Sequence, residues 1–255
     1  MLTPSLRDRL RTQTPSIVAW LASPDPLAAE RVARAGYAAV ALDQQHGAID
    51  EHDALRLLQA ITLTGSPAIV RVAWNLPHLV MKALDLGAWG VIAPMLEGPE
   101  DVRRLVSACR YPPQGERSFG PTRGAALAAP YTPALANEQV VPIAMIETRS
   151  ALERIDEILA VDGLGGVFVG PADLSQALGG PPGVDFDAGP VVAAIRHVAE
   201  SARAHGVPAG IYTRTSAYAQ RMFELGYTFA TVGSTLDLID DGARALLADL
   251  TAPRA

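Results

Sequence analysis

What most limits the fold of this chain is a unit that recurs along it: a short apolar, often β-branched run, a turn, then a longer amphipathic stretch. The runs are Ile17 to Leu21, Ala38 to Leu42, Ala68 to Val72, Gly90 to Met95, Pro142 to Ile146, Gly166 to Val169, Pro208 to Tyr212 and Thr228 to Val232. They are apolar throughout rather than alternating, as strands are when both faces of a parallel sheet are covered. The stretches between them have helical character: Leu27 to Ala35, Asp53 to Leu63, Pro77 to Leu86, Pro99 to Cys109, Ser150 to Leu159, Pro190 to His205, Ser216 to Leu225 and Leu236 to Leu250. Several end alike, with Gly before Tyr37, Ala88, Val207 and Tyr227, so a left-handed cap is followed at once by the next strand. Strand–helix alternation of this kind predicts a single (β/α)8 TIM barrel over residues 1–255; a doubly wound open sheet is the structural alternative.

One interruption stands out. Residues 111–138 are rich in Pro and Gly and follow the fourth unit, and a loop this long in a compact domain is usually functional. Its Gly, Arg, Ser and Tyr content suits an active-site wall.

Active sites of such barrels gather at the carboxyl ends of the strands. Trp20 lies near the end of the first run. The second ends in Asp43-Gln44-Gln45-His46-Gly47, and the third in Arg71 followed by Trp74-Asn75. The fifth ends in Glu147-Thr148 and the sixth in Gly170-Pro171-Ala172-Asp173. An imidazole, a guanidinium and two carboxylates on one rim suit a hard divalent cation held by oxygen, with positions left open for substrate. Each has a structural reading too. Glu147 can be a helix-start residue, Asp173 a first-turn acid, His46 an ordinary turn histidine, and Arg71 an ion-pair partner of Asp43. Pro171 at a helix start leaves the following N–H groups free to cradle a carboxylate.

Other chemistries lack support. No GxxxxGK[ST] or GxGxxG motif is present, and no closely spaced His pair or Cys cluster suggests tetrahedral zinc. Lys82, the only lysine, falls inside a helical stretch, which disfavours imine-forming chemistry. A net charge of −6 argues against nucleic-acid or anionic-membrane partners. No apolar run is long enough to span a bilayer, and the first 16 residues carry charge where a signal peptide would be apolar. The single Cys109 forbids an intrachain disulfide and suits a reducing cytoplasm.

At these residues the chain resembles the HpcH/HpaI family of metal-dependent (class II) pyruvate aldolases, over essentially its whole length. The resemblance is carried by Asp43-Gln44-Gln45-His46-Gly47, Val70-Arg71-Val72-Ala73-Trp74-Asn75, Arg110-Tyr111-Pro112-Pro113-Gln114-Gly115, Ile146-Glu147-Thr148 and Val169-Gly170-Pro171-Ala172-Asp173-Leu174-Ser175. It implies that Glu147 and Asp173 coordinate Mg²⁺, Mn²⁺ or Co²⁺, and that a pyruvate-type donor completes the sphere and is deprotonated to an enolate. It implies that Arg71 stabilises the developing charge, that His46 is the general base and that Asp85 pairs with and orients it. Trp20 would pack on the methyl or hydroxymethyl end of the donor. The Gly170-Pro171-Ala172-Asp173 turn would hold the donor's carboxylate through the N–H groups of Ala172 and Asp173. Many members carry Glu directly before the His; here Gln45 occupies that position on the substrate side, without the charge.

The activity so implied is reversible cleavage of 4-hydroxy-2-oxo acids to pyruvate, or hydroxypyruvate, and an aldehyde. The alternatives are a citrate-lyase-type acyl-CoA lyase, which would need a basic cleft for the CoA phosphates, and a non-catalytic metal-binding scaffold. The resemblance also implies a hexamer of dimers that exchange the C-terminal helix. The apolar stripe of Leu236 to Leu250 suits that exchange, and it equally suits packing on its own barrel.

Overall fold

The structure, a computed structural model, describes residues 5–11, 15–128 and 130–251. The ends of the expected 1–255 span, and part of the N-terminal stretch read for a signal peptide, lie outside the described residues. Each apolar run forms a strand: β1 (Ser16–Leu21), β2 (Ala39–Asp43), β3 (Ala68–Arg71), β4 (Gly90–Ala93), β5 (Val141–Ile146), β6 (Gly166–Val169), β7 (Ala209–Thr213) and β8 (Phe229–Val232). All pair in parallel with their sequence neighbours, and β8 returns to β1. The closed barrel leaves no edge strand, so the open-sheet alternative falls.

The uniformly apolar runs conceal a two-residue phase. Val18, Trp20, Ala39, Ala41, Ile69, Ile92, Ile143, Met145, Phe168 and Phe229 fill the barrel interior. The intervening residues, such as Ala19, Leu21, Val40, Leu42, Val70 and Ile146, pack outward against the helices. A helix absent from the sequence reading, Leu6–Arg11, closes the amino end of the barrel with Leu6 and Leu10, both buried.

The glycine stops are as expected: Gly36, Gly87, Gly206 and Gly226 all have positive φ, between 64° and 107°. The stretch 150–159 forms two short helices, Arg149–Glu153 and Ile155–Leu159, meeting at Arg154. The strand expected to run to Met95 stops at Ala93, and Met95 takes a left-handed φ of 56°.

Two expectations about position change. Residues 111–138 are no wall of this chain's own site. They leave the end of Pro99–Cys109 and return to the start of β5, so both ends are fixed at the amino rim, opposite the strand ends. They contain two short helices, Gly124–Leu127 and Pro133–Gln139. Arg123 is half-buried in this segment, and its Nη1 donates to the Leu86 carbonyl. The C-terminal helix, Thr235–Thr251, does not lay its stripe on its own barrel: Leu236, Ile239, Leu246 and Leu247 are 49–68 % exposed. Among the described residues no helix is long and apolar enough to cross a membrane.

Candidate active site

Because side chains alternate along a strand, the residues that end β2, β3, β5, β6 and β7 in phase with the interior point into the carboxyl mouth of the barrel. Asp43 continues Ala39 and Ala41; Arg71 continues Ile69; Glu147 continues Ile143 and Met145; Gly170 continues Phe168. They surround a cleft of about 160 Å³ lined by Trp20, His46, Arg71, Met145, Glu147, Phe168, Gly170–Asp173, Val184 and Tyr212. A wider cleft lies on the other side of Glu147 and Asp173, lined by Met95, Glu97, Arg149 and Gln176 among others.

Asp43 organises one wall. Its carboxylate accepts from Arg71 Nη2 at 2.6 Å and Nε at 2.9 Å, from the Trp20 indole N–H at 3.3 Å, and from the backbone N–H groups of Gln45 and His46 at 3.0 and 3.1 Å. Burial by itself would raise its pKa, but the Arg71 guanidinium and the two N–H groups hold it below the usual range. The structural reading of Arg71 as Asp43's partner is thus correct, and the pair is part of the site. Two roles converge because a fork-shaped guanidinium clamped by one carboxylate still presents its charge to the cleft. The Arg71 Cζ lies 4.9 Å from the Trp20 ring centroid, and Trp20 stacks on Phe168 at 5.6 Å. The His46 side chain is exposed and lines the cleft.

The opposite wall is acidic. Glu147 is 1 % exposed; its Oε1 accepts from the Met95 N–H at 2.7 Å, and its Oε2 is buried without a partner. Burial, reinforced by the Asp173 carboxylate, pushes Glu147 up to about 7 against the pull of the Met95 N–H and Arg71. Asp173 stands in the first turn of Pro171–Ala177, where the helix dipole favours an acid. Pro171 has no N–H, and the Leu174 N–H is used by the Gly170 carbonyl, so Ala172 and Asp173 carry the remaining donors of that turn. A Cβ on Gly170 would fall 2.4 Å from Glu147 Oε2, so only glycine admits this approach.

These residues suit a divalent cation. Two neighbouring carboxylates, one of them Glu147 with a buried, unsatisfied oxygen and a raised pKa, call for positive charge between them. Among the described residues no three His, Cys, Asp or Glu side chains converge, so the chain offers Glu147 and Asp173, and the rest of an oxygen sphere falls to substrate and water.

Two expected site residues are placed elsewhere. Asp85 ends the helix Pro77–Asp85, which carries it roughly 13 Å from the carboxyl rim toward the amino rim. There it accepts from the buried Arg117 at 2.9 Å and does not meet His46 within the chain. Gln45 is not among the cleft-lining residues, and its side-chain oxygen is buried without a partner.

Other contributors escaped the sequence reading. Asp43 was noticed only as a partner of Arg71. The left-handed Met95 gives no composition signal, since Asn or Gly would be the usual occupant. Val184 reaches the cleft because Asp185, at φ 55°, latches its loop to the N–H groups of Arg214 and Thr215. Tyr212 could have been found from its phase on β7.

Fold and site together define a barrel enzyme whose carboxyl rim pairs two carboxylates with a clamped arginine and a histidine. The chain belongs to the HpcH/HpaI aldolase/citrate lyase family, whose sequence profile matches residues 16–241, and it is a carbon–carbon lyase of the aldolase type. It is 44 % identical over 238 residues to a hydroxypyruvate/pyruvate aldolase of Rhizorhabdus wittichii, covering 93 % of this chain and 95 % of that one. It is 36 % identical over 251 residues to a 4-hydroxy-2-oxo-heptane-1,7-dioate aldolase of Salmonella typhimurium, covering 96 % and 93 %. Among solved structures, it resembles an HpcH/HpaI family protein of Burkholderia cenocepacia with a TM-score of 0.91 and 31 % identity, covering 97 % of this chain and 99 % of that one.

Proposed function

We propose that this chain is a divalent-metal-dependent aldolase that reversibly cleaves 4-hydroxy-2-oxo acids to pyruvate, or hydroxypyruvate, and an aldehyde. The observation that carries the reading is one small cleft with the unpartnered Glu147 oxygen and Asp173 on one side and the Arg71–Asp43 pair with His46 on the other. The names of the relatives in Rhizorhabdus wittichii and Salmonella typhimurium support the donor and the oxo-acid class.

A cation (Mg²⁺, Mn²⁺ or Co²⁺) held by Glu147 and Asp173 would supply Lewis acidity to the donor's oxo group. The N–H groups of Ala172 and Asp173 hold the donor carboxylate, and Trp20, fixed by Asp43 and Phe168, packs against its C3 end. In cleavage, His46 takes the proton of the C4 hydroxyl, directly or through a water, as the C3–C4 bond breaks and the aldehyde leaves. The electron pair passes toward the donor's oxygen, where Arg71 supplies positive charge. His46 then returns the proton to C3. Asp43 keeps Arg71 and Trp20 in register throughout.

A nucleotide-bearing thioester fits less well, because among the described residues Arg71 is the only guanidinium lining the cleft and Asp43 already pairs with it. A non-catalytic scaffold gives His46 and Arg71 nothing to do. The uncovered stripe of Thr235–Thr251 supports a homo-oligomer built by exchange of that helix, up to the hexamer that the resemblance implies. For Asp85 to orient His46, it would have to come from another copy of the chain. The single buried Cys109, its thiol pushed up to about 12 by burial, suits the cytoplasm.

Exchange of pyruvate C3 protons with deuterated solvent tests this scheme directly. His46→Ala should slow exchange while Mn²⁺ binding persists, and Glu147→Ala should lose the ion. Wild-type exchange rates in both variants, or activity indifferent to EDTA, would sink the mechanism.

A further inference from the structure

Glu147 and Asp173 form the wall between two clefts, and the chemistry above uses only one of them. The cleft that holds Arg71 and His46 is the smaller, about 160 Å³ against about 560 Å³. Trp20, Met145, Phe168 and Val184 give it largely apolar sides. The wide cleft is lined by Glu97, Arg149, Ser150, Glu153 and Gln176, all at least partly exposed, so it opens to solvent. Both clefts reach Glu147, whose buried Oε2 has no partner.

Two acids of the wide cleft have no structural duty for their side chains. Glu97 is fixed through its backbone: its N–H donates to Asp101 at 2.9 Å, and its carbonyl accepts from the Ser150 hydroxyl at 2.7 Å. Glu153 ends the helix Arg149–Glu153, which Thr148 caps by accepting from the Ala151 N–H at 3.0 Å. Thr148 also donates to the Leu96 carbonyl at 2.8 Å, so the segments carrying the two acids are pinned to each other. Among the described residues neither carboxylate has an ion-pair or hydrogen-bond partner. The one cation lining that cleft, Arg149, is tied down, its Nη2 donating to the Ala177 carbonyl at 2.8 Å. No three acids among the described residues converge closely enough to hold an ion, so Glu97 and Glu153 stand off from the seat.

A divalent ion arrives with its water shell and gives it up reluctantly. Six waters at about 30 Å³ each occupy roughly 180 Å³. The wide cleft takes that volume with room to spare, and the small one does not. Arg71 also sets positive charge along the small cleft, whereas the wide one offers two free carboxylates. We propose that the cation reaches and leaves Glu147 and Asp173 through the wide cleft, and that Glu97 and Glu153 steer it there without coordinating it. Charge of one sign along a cleft raises the local concentration of the opposite ion and its on-rate, an effect that salt weakens. The seat is thus loaded from one side and used from the other.

The inference rests on the metal seat of the aldolase reading and fails separately from it. The probe is Mn²⁺ alone, added to the full-length chain after EDTA treatment. Capture is followed by stopped-flow quenching of tryptophan fluorescence, and release by an EDTA chase. Glu97→Gln with Glu153→Gln should slow capture roughly tenfold at low salt and leave release unchanged, the difference shrinking as salt rises. Glu200→Gln with Glu224→Gln removes the same charge from exposed positions on Pro190–His205 and Ser216–Leu225, and should change neither rate. Gln176→Trp, which narrows the wide cleft, should slow capture and release by one factor and keep the affinity, as a gate does. Unchanged capture without Glu97 and Glu153, or equal slowing in the control pair, overturns this inference alone. Faster release without them makes them ligands rather than guides and overturns it too, as do wild-type rates in Gln176→Trp. A wild type that binds no Mn²⁺ removes the metal seat and this inference together.

Discussion

Replacing Glu147 by Gln in the cation-free protein should stabilise it above neutral pH, although the substitution removes a metal ligand. The Glu147 carboxyl is moved from 4.5 to about 7, chiefly by burial and then by Asp173. A carboxyl raised in the folded state contributes its full stability below its unfolded pKa and loses it as pH climbs through the folded value. The window here is therefore about pH 4.5 to 7. A displacement of this size corresponds to about 3 kcal/mol of stability lost by the wild type across it. Glutamine keeps the shape of the side chain, carries no charge and has nothing to lose over that range. In EDTA the two proteins should thus unfold at similar urea concentrations near pH 5 and diverge by pH 8.5, with Glu147→Gln the more stable. In a thermal scan the gap at pH 8.5 should be on the order of 10 °C for a chain of this length. Mn²⁺ should reverse the order at pH 8.5, because it binds the ionised wild-type pair and finds only Asp173 in the variant. If the cation-free wild type keeps a constant stability relative to Glu147→Gln from pH 5 to 8.5, burial does not raise this carboxyl and the reasoning fails.

Gly170→Ala should weaken Mn²⁺ binding at least tenfold, since the new methyl carbon would meet Glu147 Oε2 at 2.4 Å; equilibrium titration followed by electron paramagnetic resonance measures it, and wild-type affinity would refute the close approach. Ile239→Glu combined with Leu246→Glu should shift the solution mass to that of a 26.8 kDa monomer by light scattering, because charge on the uncovered stripe opposes its burial against a second copy. An unchanged mass would show that the stripe is not an interface.

The readings that needed only local chemistry were legible in the sequence. A left-handed cap depends on one residue, so Gly36, Gly87, Gly206 and Gly226 could be read without knowing what they pack against. The strand ends were read from the polar residues that stop each apolar run, and with them the candidates Trp20, His46, Arg71, Glu147 and Asp173. The rim on which residues 111–138 lie was also written in the chain, since a segment following a helix returns to the amino end; its composition suggested the wrong rim. Asp85 came from the resemblance alone, and its helix sets it toward the amino rim, away from His46 of the same chain.

Other features belong to the closed barrel alone. Runs that are apolar on both faces hide which residues point inward, and only closure divides them into an interior set and a helix-facing set. That division makes Asp43 and Arg71, register partners on neighbouring strands, share one mouth with Glu147. It leaves one Glu147 oxygen buried without a partner, while the other accepts from the N–H of a Met95 whose backbone no sequence rule would choose. The sequence by itself determined the alternation and the residue types at the strand ends, because caps and apolar periods act within a few residues. The tertiary structure decided which of those residues share charge, because coulombic and hydrogen-bond energies depend on distances that closure alone sets.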